Sequence, residues 1–220
     1  MSENETEGYR ILYEGGSGEI VEKKSRFLAT IRPVGTEEEA AAFIQEMKKQ
    51  YWDARHNCSA FVIGAASELT RCSDDGEPAQ TAGRPMLDVL LREDIHNAAV
   101  VVTRYFGGVL LGTGGLVRAY QAAVQEGLKH CRIIRKRSGI TLCIATDYTG
   151  LGKLQYVFAQ NRIPVKNIVY EADVRIEIVA DVTRQAAIEK LITEQTSGTA
   201  KLTAGDAVAF AELDGEVILL

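Results

Sequence analysis

The sequence predicts an α+β protein of two domains, and three observations carry that prediction. β-Branched apolar runs of strand length alternate with segments whose apolar residues recur every three or four positions. Charge shifts along the chain: residues 1–137 hold 18 Lys/Arg against 19 Asp/Glu, a net of −1, whereas residues 138–220 hold 7 against 11, a net of −4. Residues 138–220 also read strand-helix-strand-strand-helix-strand, the order of a ferredoxin-like unit. The expected division is a polar tail over 1–8, a first domain over 9–137 and a ferredoxin-like domain over 138–220. A chain of 220 residues suits that partition.

In the first domain, YRILY and EIVEKKSRFLATI read as two strands with GGSG as the turn between them. Thr36 and Glu39 form a capping box, and Ala40, Phe43, Ile44 and Met47 follow at helical spacing. CSAFVIG reads as a strand, and SDDGEPAQTAG as a long polar connection. Pro85 suits a helix's first turn, with Met86, Leu87, Leu90 and Leu91 facing inward. AAVVVTRYF suits a buried strand. Leu116, Tyr120, Val124, Leu128 and Cys131 mark one face of a further helix. KHCRIIRKR, residues 129–137, then reads as a helix end and solvated linker, with a phosphate-contacting strip as the lesser alternative.

In the second domain, GITLCIAT is a strand, LGKLQYVFAQNR a helix, VKNIVYEA and VRIEIVA strands, TRQAAIEKLITEQ a helix and AKLTAGDAVAFAEL a strand. RNA-recognition domains share this order but carry stacking aromatics on a central strand. VRIEIVA has none, which argues against base stacking on this domain.

Composition excludes several classes. A net charge of −5 is not that of a generic polyanion binder. Residues 9–137 carry a net of +2, so an anionic partner would meet the first domain. No apolar run approaches the ~20 residues of a membrane-spanning helix. MSENETEGYR is acidic and polar, unlike a secretory signal, so a cytoplasmic location is expected. Cys58, Cys72, Cys131 and Cys143 are scattered without a C-x-x-C pair and read as small apolar thiols.

One stretch asks for a chemical explanation. RYFGGVLLGTGGLVRAY, Arg104 to Tyr120, places five glycines in the nine residues from Gly107 to Gly115, directly before a helix. Every residue there offers an N–H, and the helix N-terminus adds partial positive charge. The ligand-contacting candidates are Gly107, Gly108, Gly112, Thr113, Gly114 and Gly115, with Arg104 and Arg118 supplying full charges. A Walker A loop would need Lys and Ser/Thr where Thr113 and Gly114 stand, and a dinucleotide fingerprint would need Gly at Val117. Tight packing of a strand-turn-helix corner explains the glycines equally well.

The other motifs read more plainly. Asp74 and Asp75 are the metal candidates, able in principle to hold Mg²⁺ against a phosphate. Ordinary turn chemistry is the favoured reading, and no metal or other cofactor is expected. Arg84 follows on the same stretch. Arg55 and His56 lie in ARHNC, where a His56–Cys58 nucleophile or zinc set is set aside for want of further ligands. In KKSRF, Lys24 and Arg26 would share one face of a strand.

KKSRF, DARHNC, SDDGEPAQTAGRPM and RYFGGVLLGTGGLVRAY, in that order, resemble the IMPACT family, in particular its bacterial YigZ/YvyE-type two-domain members. The resemblance implies a first domain like the second domain of small-subunit ribosomal protein five, a fold shared with GHMP kinases and a domain of elongation factor G. It implies a second domain like the C-terminal domains of elongation factor G. Through both relatives the resemblance implies RNA, the ribosome or translation as the setting. In GHMP kinases a glycine-rich loop before a helix holds nucleotide phosphates, and Gly112–Gly115 is the comparable position, although the kinases' Ser-rich continuation is missing. The kinase-regulating role of eukaryotic IMPACT uses an extra N-terminal domain, and only about eight polar residues precede the first strand here. The family supplies no established catalytic residues to carry over.

The resulting expectation is a non-enzymatic, translation-associated regulator that binds RNA or a ribosomal component. The contact surface would be Lys24, Arg26, Arg55, His56, Arg84, Arg104, Arg118 and the glycine loop. The alternatives are an enzyme or sensor holding a nucleotide or phosphate ligand at that loop, and a protein-docking regulator in which the loop is only packing. No membrane partner is expected.

Overall fold

The protein's structure, a computed structural model, describes residues 8–213 and 216–220. It is α+β, with two compact units: residues 9–134, and Gly8 with residues 135–220. Apart from Gly8, the tail expected over 1–8 lies outside the described residues.

The first unit runs β1 (Tyr9–Glu14), β2 (Gly16–Glu22), β3 (Ser25–Pro33), α1 (Glu37–Gln50), β4 (His56–Ile63), β5 (Leu69–Ser73), α2 (Gly83–Arg92), β6 (Ile95–His96), β7 (Ala98–Tyr105) and α3 (Thr113–Lys129). Its main sheet is antiparallel in the order β2-β3-β7-β4-β5. β1 pairs separately with β6, in parallel. Alternating residues of the central strands serve two cores. Phe27, Ala29, Cys58, Ala60, Val100 and Val102 meet Met86, Leu90, Leu116, Tyr120 and Val124 of α2 and α3. On the opposite face Phe61, Ile63, Ala99 and Val101 meet Phe43 and Met47 of α1. Both faces of β4 and β7 are therefore dry, which is why these strands read as continuous apolar runs.

The start of α1 follows its capping sequence, with Thr36 Oγ1 accepting from the Glu39 amide at 3.2 Å. Glu39 reaches back one residue further than a capping box requires, accepting from the Gly35 amide at 2.6 Å.

Several sequence expectations need correction. EIVEKKSRFLATI is a hairpin, not one strand: Lys23 and Lys24 adopt φ of 45° and 67° and reverse the chain between β2 and β3. Two successive left-handed residues match the twist of the flanking strands, so the alternation belongs to two arms. Lys24 thus sits in the turn and does not share a strand face with Arg26. Of GGSG, only Gly15 lies between strands. Residues 65–72, given no assignment from the sequence, hold most of the edge strand β5, and of the polar connection SDDGEPAQTAG only Ser73 is strand. Leu91 is exposed, because α2 turns it away from the sheet while Val89 is buried. Cys131 lies beyond the end of α3.

The basic run 129–137 is not a linker. Past Lys129 it enters β8 (Arg132–Thr146), inside which the division between units falls. Arg135 donates to the Gly8 carbonyl at 2.8 Å and Arg137 to Glu212 at 2.8 Å.

The second unit continues with α4 (Tyr148–Asn161), β9 (Val165–Tyr170), β10 (Val174–Asp181), α5 (Gln185–Gln195), β11 (Lys201–Leu213) and β12 (Glu216–Leu219). Its antiparallel order is β9-β10-β8-β11-β12. The first and third strands are central, as in a split βαββαβ unit, and β12 adds a hairpin at one edge. Asp147 starts α4 by accepting from the Gly150 amide at 2.7 Å. Leu154, Phe158, Ile188 and Ile192 cover Leu142, Ile144, Ile176 and Ile178. Among the described residues no helix is long and apolar enough to cross a membrane.

Candidate functional site

The acidic loop after β5 is a structural clamp. Asp74 Oδ1 accepts from the amides of Ala82 and Gly83 at 3.0 and 2.9 Å, and its Oδ2 from Gln80 at 2.8 Å. It thereby satisfies free amides at the start of α2. Asp75 accepts from the Asn57 amide at 2.7 Å and from Lys48 at 2.5 Å. His56 Nδ1 meets the Asp75 carbonyl at 2.9 Å. The oxygens of Asp74 and Asp75, the weak metal candidates of the sequence, thus hold backbone amides and Lys48. No group of three or more metal-ligating side chains occurs among the described residues.

Glu77 goes furthest inward. Its side chain is 3% exposed, and its Oε1 accepts from Arg104 Nη1 at 2.6 Å and from the Tyr120 hydroxyl at 2.8 Å. The Cys58 thiol donates to Tyr120 at 3.3 Å and to the Asp74 carbonyl at 3.0 Å. Burial pushes the Cys58 thiol up to about 12, and burial also raises Tyr120. A thiol held protonated, with His56 committed elsewhere, is no nucleophile.

Arg104, expected from the sequence to meet a ligand, is buried and paired with Glu77. Its side chain is 8% exposed, and a buried carboxylate already neutralises it. Phe27 and Phe106 flank its guanidinium at 5.3 and 5.6 Å.

The glycines divide by role. A Cβ on Gly107 would overlap the backbone of Lys24 and Ser25, so this glycine seats the loop against the hairpin turn. The Gly107 amide donates to Ser25 Oγ at 3.1 Å. A Cβ on Gly115 would stand 3.0 Å from Leu111 Cβ. Packing explains both. Gly108 and Gly112 have φ of 84° and 74° and face open space. A Cβ on Gly114 would meet only Arg118 Nη1, at 3.7 Å. Gly112 caps α3 without a side-chain bond, and among the described residues no acceptor meets the amides of Thr113, Gly114 and Gly115. Gly115, the last of these, borders a cleft of about 250 Å³ lined also by Ile20, Glu22, Lys23, Leu111 and Arg118.

The remaining cations sort by partner. Arg26 is gripped by Glu19 at 2.7 and 3.0 Å, and this hydrogen bond holds the Glu19 carboxyl below its usual range. Arg84 pairs with Asp88 one turn along α2. Lys23, Lys24, Arg55 and Arg118 form no ion pair among the described residues. Of the expected candidates, Gly115 and Arg118 line this cleft with Lys23, which Lys24 follows in the hairpin turn, while Arg84 and Arg104 are engaged elsewhere. Sequence reasoning missed Lys23, Glu77 and the exposed residues Trp52, Phe106, Val109 and Leu110. An apolar loop written between glycines was the available signal for the last three.

Comparison with known proteins accounts for this arrangement of motifs. The Impact N-terminal domain matches residues 23–128, and Domain of unknown function (DUF1949) matches residues 144–199. The chain is 41% identical over 198 residues to the IMPACT family member YvyE of Bacillus subtilis (strain 168), covering 90% of this chain and 91% of that protein. It belongs to the IMPACT family. The IMPACT family member YigZ of Escherichia coli (strain K12) is 34% identical over 184 residues, covering 83% of this chain and 90% of YigZ. A crystal structure described as that of a hypothetical protein is 32% identical, with a TM-score of 0.58, covering 90% of this chain and 98% of the other. The Impact N-terminal match contains the hairpin turn, the acidic clamp and the glycine loop, so the site described above lies within the family's shared domain.

Proposed function

We propose that this IMPACT protein is a non-enzymatic, translation-associated regulator of the cytoplasm that binds RNA or a ribosomal component through its first unit. The observation that carries the reading is the cluster at the start of α3. Among the described residues three amides there lack acceptors and Arg118 stands beside Gly114, while Lys23, Gly115 and Arg118 line one cleft that Glu22 shares, with Lys24 next along the turn. Phosphate is the anion that such a set of cations and amides suits. Family resemblance supplies the translation setting.

The cleft's size favours a polymer's phosphate over an enclosed nucleotide. About 250 Å³ lies below the ~300–1,000 Å³ of pockets that enclose small molecules. With Asp74 and Asp75 committed to the clamp, the Mg²⁺-nucleotide alternative loses its metal ligands. A protein-docking role draws on Leu110, 83% exposed, and Val109 beside it.

Co-sedimentation with ribosomal subunits and anisotropy with structured RNA test the proposal. Binding that weakens steeply with salt and is lost in Lys24→Ala/Arg118→Ala supports it. Absence of any association at low salt removes it.

A further inference from the structure

We propose that the rim at the end of the first unit's main sheet seats unpaired RNA nucleotides, with bases stacked on Trp52, Tyr105 and Phe106 and phosphates met by Lys24 and Arg55. This rests on the RNA reading above and specifies the form of RNA.

The chain has one tryptophan, and it stands 80% exposed in the turn after α1. Burial of an indole is strongly favourable, and the fold forgoes it here. Phe106, immediately after β7, is 51% exposed. Tyr105 joins the two: its hydroxyl donates to Asp53 Oδ1 at 2.9 Å, tying the tryptophan's turn to the end of β7. Arg26 lies 5.7 Å from the Tyr105 ring centre. Lys24 is fixed at the same end through its backbone contact with Gly107. Arg55 immediately precedes β4, whose first residue, His56, pairs in register with Arg104. Lys24 and Arg55 have no ion pair among the described residues. Of the acids at this end, Asp53 accepts from Tyr105 and Glu19 pairs with Arg26, while Glu22 beside Lys23 forms no ion pair among the described residues.

Rings and cations without an ion pair among the described residues, gathered at one end of the sheet, match a strand whose bases are splayed. An A-form duplex keeps its bases stacked inside and offers mainly phosphates and 2′-hydroxyls, so it leaves exposed rings without partners. The central strand β10 of the second unit, which in an RNA-recognition domain would carry such rings, is Val174–Asp181 without an aromatic.

The test uses the full chain, a single-stranded RNA of about 12 nucleotides, and the duplex of the same sequence. Since Trp52 is the sole tryptophan, its emission reports stacking directly. The expected result is tighter binding of the single strand, with quenched emission. Trp52→Ala and Phe106→Ala each weaken single-strand binding roughly ten-fold, leave duplex binding unchanged, and Trp52→Phe restores most of the loss. Both positions are exposed enough that the variants fold. Equal or tighter duplex binding with unchanged emission overturns the stacking inference and leaves RNA binding standing. Binding of neither form overturns both. Wild-type single-strand affinity in both alanine variants also overturns the stacking inference and assigns the rings another role, such as contact with a protein.

Discussion

Removing Arg104 separates a structural from a ligand-binding role for the most buried cation of the first unit. Arg104→Met leaves the Glu77 carboxylate, 3% exposed, with the Tyr120 hydroxyl as its remaining partner. Taking one member from a buried pair typically costs ~3–5 kcal/mol, against ~0–1 kcal/mol for a surface pair. Domain stability is of order 5–15 kcal/mol, so a loss of ~4 kcal/mol is a large fraction of it. Glu77→Ala produces a loss of similar size by stranding Arg104, whose Nε is already buried without a hydrogen-bond partner. Arg104→Met/Glu77→Leu recovers much of either loss, because no buried charge remains. Urea unfolding followed by far-UV circular dichroism measures this; tryptophan emission is a poor probe because Trp52 is 80% exposed in the folded chain. RNA affinity of the folded Arg104→Met/Glu77→Leu protein stays within about two-fold of wild type, since removing both members leaves the local net charge unchanged. Single losses below about 1 kcal/mol, or RNA binding abolished in a fully folded Arg104→Met protein, refute the clamp assignment.

Three further outcomes follow from neighbouring features. Lys23→Asn/Lys24→Gly puts a favoured two-residue turn where two lysines hold positive φ, so stability rises by about 1 kcal/mol in urea unfolding while RNA affinity falls. Gly107→Ala destabilises by forcing the loop off Lys24, whereas Gly114→Ala meets no obstruction and gains up to ~1 kcal/mol of helix propensity; matched unfolding curves distinguish them. Folding raises Cys58 from 9.0 to about 12, and raises Tyr120 too, so the native state holds these protons more tightly. That stability is complete below pH about 9 and is lost as pH rises toward 12; Tyr120→Phe makes the decline above pH about 10 shallower, and an undiminished slope there contradicts it.

Elements were legible in the sequence where one physical rule governs. Thr36 announces α1, and β-branched Ala98–Tyr105 announces a strand dry on both sides. The βαββαβ order of the second unit is written in its periodicities. The Lys23–Lys24 turn was hidden because neither residue is a usual hairpin residue, and the alternation on either side keeps phase through it. Glu77 was hidden among acids that read as turn chemistry; its partners Arg104 and Tyr120 lie 27 and 43 residues away, a separation no local pattern reports. The glycines showed that side chains are excluded but not by what. Gly107 and Gly115 yield to packing, Gly112 and Gly114 to open space, and only coordinates separate the two. Trp52 gave no periodic signal because it belongs to a turn.

The proposed phosphate contacts of the first unit use cations that form no ion pair among the described residues. The direct measurement is RNA affinity as a function of salt for the wild type and for Lys24→Ala, Arg55→Ala and Arg118→Ala. Four unpaired cations, Lys23, Lys24, Arg55 and Arg118, predict a slope of log K against log salt of about −3 for a single strand, shallower by about 0.7 in each variant. A slope near zero, or one that the three substitutions leave untouched, contradicts it.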